Sequence, residues 1–480
     1  MNDVAQLNRS SDWRLIRAGV VGFGLAGFAA ADALLQLDAN VVVIEGSGRE
    51  KFADKAQLLE ILGATFQFED DKTLPDRLDV LIVSPGVSPN SDIIQAAKAK
   101  NLPIWGELEL AWRLRDLENP APWLAITGTN GKTTTTRMLE SILAEKFGAE
   151  FVVAAGNIGV PMCEVVMNPT PFAAIAVEVG APQLPFVESM SPVASVCLNL
   201  AEDHIDFFGS FAAYRDAKSR VYNKTQVAAI YNEQDIETER MVEQADVIEG
   251  CRAIAFTLSI PHKSMVGLVD EILADRAFLA ERESTAIPIM DLGELPSIAP
   301  HNVQNALAAI ALARSIDIEP AIIKAGLMKW QPEPHRITQI ARVHDVDYVD
   351  DSKATNTHAA FTSIRAFESV IWIAGGLAKG QDFAELVEKS ASRLRGVVLL
   401  GEDQELIATA LALHAPTVPV RRVHSTEVSA MKIVVQQAAE LASAGDTVLL
   451  APGCASWDMF RDYAHRGDAF AQAVRELGML

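Results

Sequence analysis

The chain is poor in cysteine, with four in 480 residues at positions 163, 197, 251 and 454 and no CxxC pair among them. Thiols so few and so scattered exclude a disulfide framework and a cysteine-built zinc site, and they fit a reducing compartment. Basic residues are also scarce: 41 Lys and Arg stand against 63 Asp and Glu, a net charge of −22. Charge of that sign repels phosphodiester backbones and anionic lipid, so neither nucleic acid nor membrane is an expected partner. No stretch reaches the roughly 18 continuous apolar residues of a membrane span, and the N-terminal segment lacks the apolar core of a secretion signal. The expectation is a cytoplasmic protein that works as a monomer.

What the chain does have is an α/β rhythm. Hydrophobic residues make up 49% and charged residues 22% of it, an ordinary globular balance. Its length suits about three domains of roughly 150 residues each. Three stretches open with a β-branched apolar run, turn at glycine and continue with helical spacing. We therefore expect a Rossmann-like N-terminal domain over 1–119, which begins its first unit at AGVVGFGLAGF and ends before the proline-bearing RDLENPAPW. A P-loop ATPase-like central domain over 120–332 follows, with AAIAVEV, ASVCLNL and QVAAIYN as buried parallel strands and HNVQNALAAIALARSI as a helix. After WQPEPHR comes a Rossmann-like C-terminal domain over 333–480, built on VDYVDD, ESVIWIAGG, GVVLLGE and DTVLLAPG. Residues 261–298 carry no readable period.

The most specific chemical signal is Gly128-Thr129-Asn130-Gly131-Lys132-Thr133, set between an apolar strand and a helix. Such a loop turns backbone N–H groups and a helix N-terminus toward phosphates. Lys132 is placed to hold β/γ-phosphates and the Thr133 hydroxyl to meet Mg²⁺. Ile126 stands where the general P-loop has glycine, so this is a shortened form. Glu178 ends an apolar run, which suits either a catalytic carboxylate at a sheet edge or a surface cap. His204 reads equally as a phosphate or metal contact and as a satisfied loop histidine. Lys218, on an apparent helix, reads as a solvated charge.

Near the N-terminus, Gly22, Gly24 and Gly27 follow a strand and open a helix, with Glu45 about 20 residues on. By itself this is a dinucleotide-binding fingerprint. An NAD-dependent dehydrogenase built on it would leave the loop at 128–133 without a purpose. In the third domain, Asp351, Lys353 and Thr355 lie past a strand, Lys379 follows Gly375-Gly376, and Ser456 precedes a helix bearing Tyr463. Each of these alone can be surface decoration.

The loop TGTNGKTTTT resembles the phosphate loop of the Mur ligases and of the folylpolyglutamate synthases. GNIG (156–159), NLAEDHID (199–206), AYRDAKSRVY, PHR (334–336), DDSKATN (350–356), GGLAKG and PGCASWDMF are similar to stretches of the Mur ligase family, its D-glutamate-adding members in particular. These matches span nearly the whole chain, and the N-terminal glycine loop argues against a folylpolyglutamate synthase. The resemblance implies an ATP-dependent ligase that makes an acyl phosphate and couples it to an amino acid. Its partners would be UDP-N-acetylmuramoyl-L-alanine and D-glutamate, and its cofactors ATP and Mg²⁺.

On the same resemblance, Lys132, Glu178, His204 and Lys218 are catalytic, and Thr133, Glu178, His204 and a carbamylated Lys218 hold the metal. Gly128, Thr129, Asn130, Gly131, Lys132, Thr133, Thr134, Asn302, Asn305, Arg336, Asp351 and Lys353 surround ATP. Gly22, Gly24, Leu25, Ala26, Glu45, Asn157 and Gln183 meet the UDP substrate, and Thr355, Lys379, Ser456 and Tyr463 hold glutamate. The chain departs from the family at Val179-Gly180-Ala181-Pro182, where Leu-Ser-Ser-Phe is usual, and at Glu45, where Asp is usual. The altered stretch before Gln183 leaves open a nucleotide-binding regulator without turnover.

Overall fold

The computed structural model describes residues 4–332, 334–425 and 427–478, without the side chain of Asp206. Glu333, where the third domain is expected to start, lies outside the described residues. The chain up to Leu200 together with Ala212–Gln331 forms one compact unit, and Ala201–Phe211 together with the chain from Pro332 onward forms a second.

The first unit holds two sheets. Strands β1 (Arg17–Val21), β2 (Asn40–Glu45), β3 (Thr65–Phe68), β4 (Val80–Val83) and β5 (Ile104–Gly106) make an all-parallel sheet in the order β3-β2-β1-β4-β5. The order reverses between β1 and β4, and an open α/β sheet binds its ligands at such a point, beyond the strand C-termini. Gly22 to Gly27 lie there. A Cβ on Gly27 would run into the carbonyl of Gly22, so only glycine lets the helix Leu25–Gln36 pack this close.

The second sheet begins with β6 (Trp123–Thr127), β7 (Val152–Gly156), β8 (Ala174–Glu178), β9 (Ala194–Cys197), β10 (Ala228–Asn232) and β11 (Arg252–Phe256). Every residue of β6, β8 and β9 is buried, because helices cover both faces of a parallel sheet. Strands β12 (Met265–Val269), β13 (Ile272–Asp275) and β14 (Ile287–Asp291) complete the order β14-β13-β12-β11-β10-β9-β6-β8-β7. The stretch without a readable period is thus an antiparallel extension, its pattern broken by a register shift between Leu273 and Ala274. On one face Met138, Leu139, Ile142 and Leu143 of the helix Lys132–Phe147 share a core with Ala306 to Ala313 of the helix Pro300–Arg314.

In the second unit, β15 (Thr338–Val343), β16 (Val346–Asp350), β17 (Val370–Gly375), β18 (Leu394–Leu400), β19 (Val420–Arg422) and β20 (Thr447–Leu450) run in the order β15-β16-β20-β17-β18-β19. Among these strands as described, the β15–β16 pairing is antiparallel and the others are parallel. The three sheets and their helices make a mixed α/β fold. Among the described residues no helix is long and apolar enough to cross a membrane.

One buried acid in the first unit makes stability depend on pH. Glu107 opens the helix Glu107–Leu114 and accepts the Cys163 N–H at 2.6 Å, and burial pushes its carboxyl from 4.5 up to about 7. The folded state therefore holds a proton that the unfolded chain releases, so the contribution of Glu107 to stability is full below pH 4.5 and is lost as pH rises to about 7. Glu107→Gln should flatten that fall, worth on the order of 3 kcal/mol. Thermal unfolding from about pH 5 to about pH 8 measures it. Parallel curves for wild type and variant would clear Glu107 of the effect.

Candidate active site

The loop after β6 is held from three sides. Gly131 caps the helix Lys132–Phe147 with φ +83, and a Cβ there would strike Asn305 Oδ1, so both the backbone angle and the neighbour demand glycine. Asn199, just past β9, brackets the loop. Its carbonyl accepts the Thr129 N–H at 3.0 Å, its Oδ1 accepts the Asn130 N–H at 2.8 Å, and its Nδ2 donates to the Asn130 carbonyl at 3.1 Å. On the third side the Thr129 and Tyr214 hydroxyls lie 3.0 Å apart. Lys132 folds back over this loop and donates to the carbonyls of Gly128 and Thr129 at 2.8 and 3.0 Å. Behind it, the Thr134 and Thr135 hydroxyls are buried without a hydrogen-bond partner among the described residues.

Glu178 lies beside the loop, at the end of β8 in register with Ile126, and is 3% exposed. Asn157 grips it twice: the Asn157 N–H donates to the Glu178 carbonyl at 2.8 Å and Nδ2 donates to Oε1 at 2.9 Å. The second carboxylate oxygen, Oε2, is buried with no hydrogen-bond partner among the described residues. A bare buried carboxylate oxygen is costly unless a cation or donor meets it. That oxygen is what a magnesium site needs. Among the described residues no three His, Cys, Asp or Glu side chains gather as a metal cluster.

Lys218 lies at the same loop. It sits on the helix Phe211–Ser219 at 1% exposure, and its Nζ donates to Gly128 O at 2.8 Å and to Thr127 Oγ1 at 3.3 Å. The reading of a solvated charge fails: the lysine is packed beneath the phosphate loop. Gly180 has a local reason too. Its N–H donates to Gln183 Oε1 at 2.7 Å, and a Cβ on it would come within 2.8 Å of Asn157 Oδ1. The missing side chain at 180 leaves Asn157 room to hold Glu178.

In the N-terminal glycine loop, Gly22 has φ +84 and its carbonyl accepts the Ser84 hydroxyl at 2.9 Å. Gly24 caps the following helix, and Leu25 is exposed beside the partly exposed Ala26. Both Glu45 oxygens are engaged by backbone: Oε2 accepts Phe23 N–H at 2.7 Å and Oε1 accepts Ser47 N–H at 2.9 Å. The acid therefore shapes the loop itself. Asn302 and Asn305 are buried on the helix Pro300–Arg314, with Asn302 Nδ2 donating to Ser297 Oγ at 2.8 Å.

The second unit gathers the remaining candidates around the ends of β16, β17 and β20. Asp351 is buried and accepts the Ser363 hydroxyl, and burial pushes its carboxyl up to about 6 against the opposing charge of Arg336. Lys353 Nζ stands 3.8 Å from the Tyr463 ring centroid, and the Thr355 N–H donates to the Lys353 carbonyl at 2.8 Å. Arg466 ties these loops together through Ser352 Oγ at 2.9 Å, Ser352 O at 2.8 Å and Cys454 O at 3.1 Å, its guanidinium pulled down to about 10 by burial. Ser456 is buried, and Lys379 Nζ lies 4.3 Å from the Trp457 ring centroid. His204 belongs to this unit through Ala201–Phe211, with φ +53 and its N–H on Asp203 Oδ1 at 2.9 Å.

The pattern of the Mur ligase middle domain matches residues 126–313, and that of the Mur ligase glutamate ligase domain matches residues 335–454. A UDP-N-acetylmuramoylalanine–D-glutamate ligase of Streptomyces avermitilis is 47% identical over 98% of this chain and all of its own. That of Streptomyces coelicolor is 49% identical over 96% of this chain and 98% of its own. The chain belongs to the Mur ligase family. Two solved structures agree on the fold: MurF from Acinetobacter baumannii, with TM-score 0.57 at 18% identity over 91% of this chain and 90% of its own, and the UDP-N-acetylmuramate–alanine ligase of Thermotoga maritima, with TM-score 0.53 at 17% identity over 96% and 99%.

As a Mur ligase, this chain is an ATP-dependent, ADP-forming ligase with the three-domain α/β fold of its family. Lys132, Glu178, Lys218, Asn157, Asn302 and Asn305 lie in the first unit, with Glu178, Lys218 and Asn305 against the loop or its strand. Arg336, Asp351, Lys353, Thr355, Lys379, Ser456 and Tyr463 lie in the second with His204. Sequence reasoning overlooked Asn199, Tyr214, Ser363 and Arg466. The first two stand inside motifs that resemble the Mur ligases, which was the one signal available; nothing marks the other two before the fold brings their partners close.

Proposed function

We propose that this Mur ligase joins D-glutamate to UDP-N-acetylmuramoyl-L-alanine in the cytoplasm, as a monomer, in the synthesis of peptidoglycan precursors. The observation that carries the reading is the braced loop at 128–133 with two lysines on its carbonyls and the bare Glu178 oxygen nearby. The work would divide over 1–119 for the UDP substrate, 120–332 for ATP and 333–480 for the amino acid. Lys132 exchanges its loop carbonyls for the β/γ-phosphates, and the backbone N–H groups of residues 128–134 line the rest of the phosphate chain. Asn302 and Asn305 flank adenine and ribose, while Arg336, Asp351 and Lys353 complete the nucleotide contacts.

The substrate carboxylate, positioned through Gly22, Gly24, Leu25, Ala26, Glu45, Asn157 and Gln183, attacks the γ-phosphorus, and ADP leaves. The D-glutamate amine, presented by Thr355, Lys379, Ser456 and Tyr463, attacks the acyl carbon. It forms the amide, sheds a proton and expels phosphate. Thr133, Glu178, His204 and a carbamylated Lys218 would hold Mg²⁺, which draws charge from the phosphoryl oxygens when bound. Positioning and charge stabilisation supply most of the rate, because phosphoryl transfer asks little covalent work of the protein.

The test is phosphate release by purified protein given ATP, Mg²⁺, the UDP substrate and D- or L-glutamate. Release is expected only with both co-substrates and with the D isomer. Equal turnover of L-glutamate, or turnover of a folate in place of the UDP substrate, would refute the assignment.

A further inference from the structure

Six of the seven tryptophans are buried, at 0–7% exposure, and Trp457 alone is 65% exposed. Its exposure does not come from a loose loop. Leu377 and Ala455 pair through two backbone hydrogen bonds of 2.9 Å, Ser456 is buried, and Asp458 accepts the Glu402 N–H at 2.9 Å. Fixed backbone on either side thus holds the indole in solvent with one ring face open to a cation. Its contact is Lys379, whose ammonium lies 4.3 Å from the ring centroid. Lys379 itself is set by a left-handed backbone, φ +53, between Gly376 and Gly380. Its ammonium makes no hydrogen bond or ion pair within 4 Å among the described residues.

We propose that Trp457 is a positioning residue, whose ring holds the Lys379 ammonium in place for a carboxylate of the incoming glutamate. This rests on the reading of Lys379 as a glutamate-binding lysine. A ring face attracts a cation without consuming its N–H donors, so a carboxylate can bind the ammonium while the ring still steadies it. A lysine free in solvent must give up its rotamer freedom when substrate arrives, and one already resting on a ring has less to lose. Trp457 therefore acts on substrate affinity and leaves the chemical step alone.

Trp457→Leu keeps apolar bulk and removes the π face. It should raise the KM for D-glutamate about fivefold, with kcat and the KM for ATP within about twofold of wild type, and Trp457→Phe should restore most of the loss. Because the other tryptophans are buried, acrylamide quenching in the wild type reads Trp457, and saturating D-glutamate with ADP and the UDP substrate should reduce it. An unchanged KM in Trp457→Leu, an equal defect in Trp457→Phe, or quenching indifferent to D-glutamate in a wild type that turns over would each overturn the inference. Absence of D-glutamate-dependent phosphate release by the wild type is a different failure: it removes the assigned reaction, and this inference with it.

Discussion

Lys132→Ala should lower D-glutamate-dependent phosphate release by at least about 10³-fold while the protein stays folded. Both parts follow from where the side chain lies. Lys132 is half-buried at the mouth of the loop, and its partners are the carbonyls of Gly128 and Thr129, which water can reach once the ammonium is gone. The loop keeps its shape without it, because Asn199 holds Thr129 and Asn130, and Gly131 remains packed on Asn305. What disappears is a charge that no other residue in the loop carries, aimed where negative charge shifts from the γ- toward the β-phosphate. A phosphate-release assay beside a thermal melt separates the two parts. Turnover within tenfold of wild type would sink the nucleotide assignment, and collapse of the melt would make the lysine structural.

The same loop shows how far sequence can be read. Strands β6, β8 and β9 were visible because both faces of a parallel sheet are covered, so their residues form continuous apolar runs. The edge strands β12 to β14 escaped notice because they are four or five residues long and only partly buried, which leaves no period to detect. Glycine and lysine in a strand–loop–helix setting announce phosphate chemistry through local geometry alone. The braces do not. Asn199 lies 69 residues from Asn130, Tyr214 lies 85 from Thr129, and Arg466 lies 114 from Ser352, so their roles exist only after folding. Helix pattern alone reads Lys218 as a solvated charge, because charge on a helix usually marks its wet face; only the resemblance singles it out, and the fold turns it inward with Tyr214 and Ala217. At Glu45 the spacing gave the position, but that backbone amides occupy both oxygens is a tertiary fact.

Lys218→Ala should cost at least about 100-fold in turnover and regain part of it when a short-chain carboxylic acid is added. The argument starts from an electrostatic conflict. Lys132 and Lys218 each place Nζ 2.8 Å from the same carbonyl, that of Gly128, so the two nitrogens are no farther apart than twice that distance. Two ammonium ions that close repel by about 3 kcal/mol at an effective dielectric near 20, and Lys218 has no solvent to screen it. Reaction of the neutral Lys218 amine with dissolved CO₂ forms an N–C bond, releases a proton and turns the cation into an anionic carbamate. Repulsion of Lys132 would become attraction, and the carbamate would add anionic oxygens at the phosphate loop, hard ligands of the kind Mg²⁺ takes. An added carboxylic acid mimics the lost carbamate in the space left by alanine, whereas Lys218→Arg fills that space with a permanent cation and should resist rescue. Full activity of Lys218→Ala with no acid added would show that the lysine needs no modification, and equal rescue of the arginine variant would show that the acid acts elsewhere.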